Sequence, residues 1–340
     1  MSATDGASLQ KGSDGSDLLA LDLQISAFAA AVRHSRRFVI AKPFPTAAVT
    51  GHAPQGGPTP EPAMRACQAL VSSLPRLSTL TTDELLRADP DAGPASDSSL
   101  TTDAIRLLQW IAARPRARRK VQLSSWAALT RDVGEGKLAR VPPNLLPDYV
   151  FALGQKGGAG PGPPATGESL SYAFHGTSFE NLHSILAFGL IDTGDARMMS
   201  TGQIFGRGVY MARDYETAFG FSAATDAWRN SSLGCRLRCM LVARFPESKV
   251  STEEGARPSD VGATDHYIIV QDVSAIELTH VLVFVDQGPL PAGGGDGTAA
   301  VAAAGDGAWS TAALIAAAVV ALVAWIVGGL FAGRSVSRIF

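Results

Sequence analysis

The chain has 340 residues, of which 46% are hydrophobic, so it is long enough for two ordinary domains and one further segment. Its 29 basic and 31 acidic residues give a formal net charge of -2, which excludes a global field that would attract nucleic acid or another polyanion. Three cysteines are too few for a disulfide framework, so a reducing compartment is expected.

The N-terminal part of the chain is predicted to be helical. Residues 1–16 are rich in Gly, Ser and Asp, and we expect them to be disordered and to contain no cleaved signal peptide. Ser16 is placed to cap an amphipathic helix with apolar residues from Leu18 to Val32. Further helices are predicted at Ala63–Leu74, Thr102–Ala113 and Ser124–Val133. These stretches together indicate a small helical module.

A basic cluster follows the third of these helical stretches. Its members are Arg114, Arg116, Arg118, Arg119 and Lys120. Such a cluster can contact nucleic acid or anionic lipid, but a short run of charge between helices is more often a solvated loop. We interpret it as a loop, and we expect no nucleic-acid partner.

The pattern changes after Glu168 to short strands and short helices, which is typical of an α+β domain. Strands are predicted at Leu170–Phe174, Gly208–Ala212, Arg238–Phe245, Tyr267–Gln271 and Val281–Val285. Ser178 is placed to cap a helix that Gly189 ends in the left-handed conformation, and a second helix is expected after Asp214. The Gly/Pro-rich residues 154–167 before this domain are expected to form an exposed loop.

The C-terminal end of the chain predicts a membrane anchor. Residues 308–333 contain no charge and are long enough to span a bilayer, with Trp309 near one end and Arg334 and Arg338 after the other. A buried core helix is the alternative, but an uncharged run of this length favours spanning. Residues 287–307 have the composition of a flexible spacer, which leaves residues 334–340 as a short tail on the far side.

Common catalytic and metal signatures do not fit this sequence. Gly220-Phe-Ser-Ala is not a nucleophile elbow, and Gly206-Arg-Gly lacks the third glycine of a dinucleotide fingerprint. The six histidines show no metal-ligand spacing, so no metal is expected. Two other segments stand out, namely Phe174-His-Gly-Thr at a strand end and Phe205-Gly-Arg-Gly-Val-Tyr, which ends at Tyr210.

The helical segment Asn181-Leu-His-Ser-Ile-Leu-Ala-Phe-Gly lies between these two segments. In residues, order and spacing, the three segments resemble the catalytic domain of the poly(ADP-ribose) polymerase family. The resemblance is strongest from Ser171 to Asp286. The helical module and the predicted anchor correspond best to the small, tail-anchored mono-ADP-ribosyltransferase of the endoplasmic reticulum in that family. The resemblance implies a split antiparallel β-sheet core with short helices, and NAD⁺ as co-substrate.

The resemblance also implies roles for individual residues in NAD⁺ binding. Tyr210 and Phe221 would sandwich the nicotinamide ring, a contact worth about 0.5 to 1.5 kcal/mol per aromatic pair beyond area burial. The backbone of Gly176 would meet the carboxamide, where a side chain would obstruct close approach. His175 would bond a hydroxyl of the adenosine ribose. The family tends to place a serine for the carboxamide at the position of Ala218, so one donor is expected to be missing here.

The third motif position of the family falls on Tyr267, with the adjacent His266 as the alternative register. Chain-elongating members carry glutamate at this point, where a carboxylate can polarise a ribose hydroxyl for attack on the next NAD⁺. A phenol with a pKa of about 10 is a poor base. The resemblance therefore implies that His175, Tyr210 and Tyr267 are the catalytic residues and that the enzyme transfers single ADP-ribose units.

Two functional hypotheses follow from the sequence. The first is a protein mono-ADP-ribosyltransferase that acts on protein acceptors at the cytosolic side of a membrane, itself among them. The second is a weak or inactive module that binds NAD⁺ or ADP-ribose without turnover, suggested by Ala218 and Tyr267. A toxin-like transferase is poorly supported, since Ser200-Thr and Glu253-Glu lack the required pattern.

The expected organisation combines these predictions with a membrane location. Its parts are a disordered segment 1–16, a helical module 17–145, a catalytic domain 146–286, a linker 287–307, a transmembrane helix 308–333 and a lumenal tail 334–340. The resemblance favours the endoplasmic reticulum membrane with a cytosolic catalytic domain. The moderate hydrophobicity of the anchor and the two arginines after it also suit a mitochondrial or plastid outer membrane.

Overall fold

The computed structural model describes residues 14–46, 61–79, 100–113, 119–155, 169–191, 208–250 and 267–286. The predicted linker 287–307, transmembrane helix 308–333 and tail 334–340 lie outside these residues, as do Phe205 to Arg207 of the second motif. A first compact unit covers Met1–Gly288, so the helices and the sheet that follow belong to one body.

The N-terminal part of this body is a helical module built around one long helix. In chain order the helices are α1 (Asp14–Arg33), α2 (Arg37–Ile40), α3 (Glu61–Ser73) and α4 (Thr102–Ala113). The last two match the predicted stretches within one or two residues, because their apolar positions recur with helical spacing. Helix α1 already begins at Asp14, so Ser16 lies in its first turn, and the prediction that Ser16 caps the helix is wrong.

Helix α1 is buried on two sides, whereas the sequence predicted an amphipathic helix. Leu23 and Ala27 belong to the apolar core that covers the sheet, while Phe28 and Val32 belong to a second core shared with the other helices. A helix that is apolar all round is expected in a protein interior. By length and composition α1 would also suit a membrane, but most of its surface is buried inside the protein, so it is a core helix.

The rest of this body contains one antiparallel sheet. Its strands are β1 (Arg119–Ser124), β2 (Tyr149–Gln155), β3 (Leu170–Thr177), β4 (Val209–Ala212), β5 (Thr225–Asp226), β6 (Arg236–Pro246), β7 (Tyr267–Val270) and β8 (Glu277–Val285). The order across the sheet is β1-β2-β8-β6-β3-β4-β7, and β5 pairs with the first residues of β6. All five predicted strands are present, with β3, β6 and β8 longer than expected.

Two strands at one edge of the sheet were missed in the sequence. Strand β1 lies within the range predicted to be helical and contains Arg119 and Lys120 of the basic cluster, which are therefore not in a loop. Gly154 and Gln155, expected in the exposed loop, end β2. In β1 the buried Val121 stands between the exposed Lys120 and Gln122. This alternation of buried and exposed side chains is typical of a half-exposed edge strand.

Short helices connect the strands. They are α5 (Trp126–Val133), α6 (Glu135–Leu138), α7 (Leu182–Phe188) and α8 (Tyr215–Gly220), and a 3-10 turn, Phe179–Asn181, precedes α7. Helix α8 follows Asp214 as expected, and the Asp214 side chain caps it by accepting a bond of 2.8 Å from the Thr217 amide. Gly189 ends α7 with a φ of 82°, as predicted, while Ser178 stands before the 3-10 turn and not before an α-helix.

The sheet splits between β3 and β4. Strand β3 pairs with β6 along its whole length, but its register with β4 consists of Phe174 opposite Ala212. Strand β4 then pairs with β7. Beyond Phe174 the described residues of β3 and β4 form no further pairs in register, which agrees with the split sheet that the family resemblance implied.

A buried polar network joins the helical module to the sheet. The Asp22 carboxylate on α1 is only 1% exposed. It accepts hydrogen bonds from Ser26 Oγ at 3.1 Å, Trp228 Nε1 at 3.0 Å, Ser231 Oγ at 2.6 Å and the Ser232 amide at 2.6 Å. Three of these donors come from the loop between β5 and β6, so one carboxylate ties α1 to the sheet.

An aromatic contact makes a second connection. The His183 ring of α7 lies 4.9 Å from the Phe28 ring of α1, and its Nε2 donates to the Pro43 carbonyl at 2.9 Å. Trp228, although it follows β5, is fully buried in the core of the helical module. The two parts consequently share their cores.

Candidate active site

His175 lies at the split of the sheet. Its Nδ1 donates to the Tyr210 carbonyl of β4 at 2.9 Å, so a side chain bridges the two strands where the backbone ladder has ended. Because a carbonyl oxygen only accepts, the proton sits on Nδ1 and the neutral ring presents Nε2 as an acceptor. Burial lowers the pKa of His175, and the bond to Tyr210 offsets this in part, so the ring is neutral at pH 7.

Gly176 follows His175 and packs against the end of α8. A Cβ placed on Gly176 would lie 1.8 Å from the Ala218 carbonyl oxygen and 2.9 Å from Phe221 Cβ. Gly176 therefore cannot accept a side chain unless the neighbouring backbone moves. The structure thus brings Gly176, Ala218 and Phe221 into direct contact, and it gives a steric reason for glycine at this position.

Ala218 stands where the resemblance places a serine. Its methyl group is 1% exposed and packs in an apolar cluster with Phe174 and Tyr215. Its carbonyl accepts from the Phe221 amide at 3.1 Å and from Ser222 Oγ at 3.4 Å. Ala218 therefore acts through its backbone and shapes the turn that carries Phe221.

The two aromatic residues predicted to hold nicotinamide differ in exposure. Phe221 follows the last residue of α8 and is 47% exposed, which is high for a large apolar side chain. Tyr210 is half-buried on β4, opposite Ile269 of β7. The Tyr210 carbonyl bonds His175, and Phe221 packs against Gly176, so both aromatic residues adjoin the same end of β3. Two aromatic residues there suit the binding of a flat heterocycle.

Tyr267 opens β7 and pairs with Ala212, which lies two residues after Tyr210 on β4. His175, Tyr210 and Tyr267 therefore lie on β3, β4 and β7, three neighbouring strands of the sheet. The sequence separates these residues widely, and the strand order brings their backbones to one end of the sheet.

Two further groups of residues beside the site were missed in the sequence. One group is polar and comes partly from the helical module: Arg36 Nη2 donates to Asn181 Oδ1 at 3.1 Å, and Asn181 Nδ2 donates to Thr177 Oγ1 at 3.1 Å. The other is Arg238 of β6, which donates to the Ser222 carbonyl at 2.8 Å. The sequence signal for Arg238 is a charged residue that alternates with apolar ones in a strand, but it does not show which turn the residue contacts.

The fold and the site can now be compared with known proteins. The family model of the poly(ADP-ribose) polymerase catalytic domain matches residues 160–284, and that of the ARTD15 N-terminal domain matches residues 15–112. The split sheet with His175, Tyr210 and Tyr267 on neighbouring strands is thus the catalytic domain of an ADP-ribosyltransferase, an enzyme for which NAD⁺ is the substrate. The chain therefore contains a catalytic domain of the poly(ADP-ribose) polymerase family.

Named relatives agree with this assignment. Human protein mono-ADP-ribosyltransferase PARP16 is 28% identical over 253 residues, which are 71% of this chain and 67% of the relative. The mouse protein of the same name is 29% identical over 232 residues, 66% of this chain and 62% of the relative. Mouse protein mono-ADP-ribosyltransferase PARP8 is 25% identical over 116 residues, 34% of this chain and 12% of the relative.

Proposed function

We propose that the chain transfers single ADP-ribose units from NAD⁺ to protein side chains and releases nicotinamide. The observation that carries this proposal is the third motif residue: strand β7 supplies Tyr267 beside the strand of Tyr210, where chain-elongating members supply glutamate. A phenol of pKa about 10 does not activate a ribose hydroxyl at neutral pH. The names of the two PARP16 relatives describe mono-ADP-ribosyltransferases, which supports the same activity here.

The residues of the split would divide the binding of NAD⁺ among them. His175 offers Nε2 as acceptor to a ribose hydroxyl, because its Nδ1 proton is committed to the Tyr210 carbonyl. Gly176 offers its backbone to the carboxamide at a point where no side chain intervenes. Tyr210 and Phe221 stack on the nicotinamide ring. The site holds the substrate with neutral groups and aromatic surface.

The reaction breaks the bond between the ribose and nicotinamide, and the bonding electrons leave with nicotinamide. An acceptor side chain supplies the electron pair of the new bond to the same ribose carbon and loses a proton. The residues of this chain promote the step by holding donor and acceptor in line and by excluding water from the ribose.

We further propose that residues 308–333 anchor the enzyme in the endoplasmic reticulum membrane, with the catalytic domain in the cytosol. The support is the uncharged run between the spacer 287–307 and the two C-terminal arginines. Acceptors would then be proteins at the cytosolic face of that membrane. Imaging a fluorescent fusion to Gly288–Phe340 tests the anchor: membrane staining is expected, a mitochondrial or plastid pattern would change the address, and diffuse signal would contradict the anchor.

Labelling with NAD⁺ tests the transferase proposal. The full chain in detergent is incubated with NAD⁺ labelled in the adenylate part, alone and with cytosolic proteins. A discrete labelled band without a ladder of longer products is expected, and His175→Ala is expected to lose the label. Phe221→Ala should also lose most of it, whereas Phe38→Ala, which removes an exposed aromatic ring from the helical module, should not. No label with wild type and His175→Ala alike would refute the proposal.

The alternative is a module that binds NAD⁺ without turnover. The observation that favours it is Ala218, which leaves a buried methyl where the family tends to place a hydroxyl. Calorimetry of NAD⁺ binding combined with an assay for free nicotinamide separates the two functions. Binding with no nicotinamide release would establish the alternative.

A further inference from the structure

Arg238 contacts the turn that carries Phe221 from the side of β6. Its Nη1 donates to the Ser222 carbonyl at 2.8 Å, and its guanidinium carbon lies 5.6 Å from the centre of the Phe219 ring. Phe219 and Ser222 stand on either side of Phe221 along the chain. The two contacts of Arg238 therefore bracket the proposed stacking residue.

The Phe221 turn needs such support because helix α8 is only six residues long and ends at Gly220. The carbonyls of a last helical turn lack partners within the helix. Within the turn, the Phe221 amide donates to Ala218 and the Ser222 amide donates to Phe219, at 3.1 and 2.9 Å. The Phe221 ring itself is 47% exposed.

Strand pairing holds Arg238 in place. Arg238 lies opposite Phe284 of β8, whose ring meets the Phe219 ring edge-on at 4.9 Å. Its Nη2 lies 3.5 Å from the Asp286 carboxylate at the end of β8. The central strands of the sheet thus fix the guanidinium, and the guanidinium fixes the Phe221 turn.

Arg236, two residues earlier on β6, is a natural control. Its Nε lies 3.3 Å from the same Asp286 carboxylate, and its Nη1 lies 3.3 Å from Asp226. Both arginines are partly exposed and share one ion-pair partner. They differ in that Arg238 also reaches the carbonyl next to Phe221.

We propose that Arg238 is a positioning residue for nicotinamide recognition, acting through the Ser222 carbonyl on Phe221. This inference rests on the proposed function. It assigns to Arg238 an effect on the nicotinamide end of NAD⁺ alone, since the Phe221 turn is expected to contact only the ring.

The test compares Arg238→Met and Arg236→Met in the full chain in detergent. Dissociation constants for nicotinamide and for ADP-ribose, which lacks the ring, are measured by calorimetry, and kcat and KM for NAD⁺ by nicotinamide release. Arg238→Met is expected to weaken nicotinamide binding and to raise the KM for NAD⁺, each about tenfold, which corresponds to the loss of one aromatic contact. The dissociation constant for ADP-ribose should stay unchanged. Arg236→Met should behave as wild type.

A double variant shows whether Arg238 acts through Phe221. On the background of Phe221→Ala, Arg238→Met should have little further effect on nicotinamide binding, because the ring that it positions is gone. The inference would be overturned if the losses of nicotinamide affinity from Phe221→Ala and Arg238→Met were additive. It would also be overturned if Arg238→Met and Arg236→Met had equal effects, or if Arg238→Met weakened ADP-ribose binding in parallel.

Two measurements keep the outcome decisive. If Arg238→Met unfolds, Arg238→Lys retains the charge and the Asp286 pair but loses the fork geometry, and wild-type nicotinamide affinity in this variant would also overturn the inference. If the wild-type chain binds nicotinamide but releases none from NAD⁺, the proposed function fails while the binding comparison still tests Arg238.

Discussion

Single residues at the split of the sheet have their chemical state set by neighbouring backbone. His175 is held in one tautomer by the Tyr210 carbonyl, and Gly176 lies where the Ala218 carbonyl excludes a Cβ. His280 of β8 is 3% exposed, and burial lowers its pKa while Asp132 at 3.7 Å raises it in part. These local constraints lead to two predictions.

The first prediction concerns stability in mild acid. In the unfolded chain His175 and His280 titrate at a pKa of about 6.5, whereas burial lowers both pKa values in the folded chain. Their contribution is therefore complete above about pH 6.5 and is lost as the pH falls from there through the lower folded pKa, because the unfolded state binds more protons. The free energy of unfolding in urea should fall over this window.

The control for this pH dependence is His280→Asn, which removes one of the two titrating groups. The absolute stability of this variant is expected to change, but its stability should depend less steeply on pH below about 6.5. An unchanged slope would show that His280 does not contribute.

The second prediction concerns Gly176→Ala. The added methyl would lie 1.8 Å from the Ala218 carbonyl oxygen, so α8 must shift and take Phe221 with it. We expect a loss of about 1 to 3 kcal/mol in unfolding free energy and of nearly all NAD⁺ turnover. Gly154→Ala on β2 is the matched control, because a Cβ there meets no atom closer than 4.0 Å. Equal effects of the two substitutions in denaturation and activity assays would contradict the steric explanation.

Among the elements, α1 determines how the helical module and the sheet fit together. One side packs in the core over the sheet through Leu23 and Ala27, and the other packs in the helical core through Phe28 and Val32. Asp22, which would be costly to bury alone, is satisfied by donors from the loop between β5 and β6. The helix is therefore an integral part of the catalytic body.

A third prediction follows for Asp22→Asn. The asparagine amide can accept fewer bonds than the carboxylate and turns an NH₂ group toward a donor, so the network loses partners in a buried place. We expect a loss of about 2 to 4 kcal/mol in unfolding free energy. Asp17→Asn, on the exposed first turns of the same helix, should change it by less than about 0.5 kcal/mol. A small effect of Asp22→Asn in urea denaturation would show that the network is dispensable.

For the whole molecule, the catalytic domain defined by family similarity is smaller than the body that folds. The family model covers residues 160–284, but β1 and β2 continue the same sheet beyond β8, and α1 covers one of its faces. Trp228 in turn belongs to the core of the helical module. Residues from α1 to β8 contribute to the core over the sheet, and residues from α1 to Trp228 contribute to the core of the helical module.

The fourth prediction is that a fragment of residues 160–284 does not fold by itself. It would expose the edge of β8 that pairs with β2 and the apolar face that α1 covers, and exposed edges and faces of this kind promote aggregation. A fragment of residues 14–286 is the control and should give a monomeric peak in gel filtration with one cooperative unfolding transition. A folded, monomeric 160–284 fragment would contradict the prediction.

The sequence by itself determined the elements and residue types that depend on near neighbours. Local propensity and pattern predicted α3 and α4, the helix after Asp214, Gly189 at the end of α7 and the five strands around the motif residues. The family resemblance of their motifs predicted His175, Tyr210 and Tyr267 as site residues. Their meeting on neighbouring strands required the strand order of the sheet.

Only the tertiary structure decided which surfaces meet. It buried α1 on two sides, added β1 and β2 to the sheet, and placed Arg238 against the Phe221 turn. The physical reason is that periodicity reports which residues share a face of one element, whereas the partner of that face is set by packing between segments far apart in the chain. Asp22 and the loop after Trp228 are such a pair, about two hundred residues apart and joined by one carboxylate.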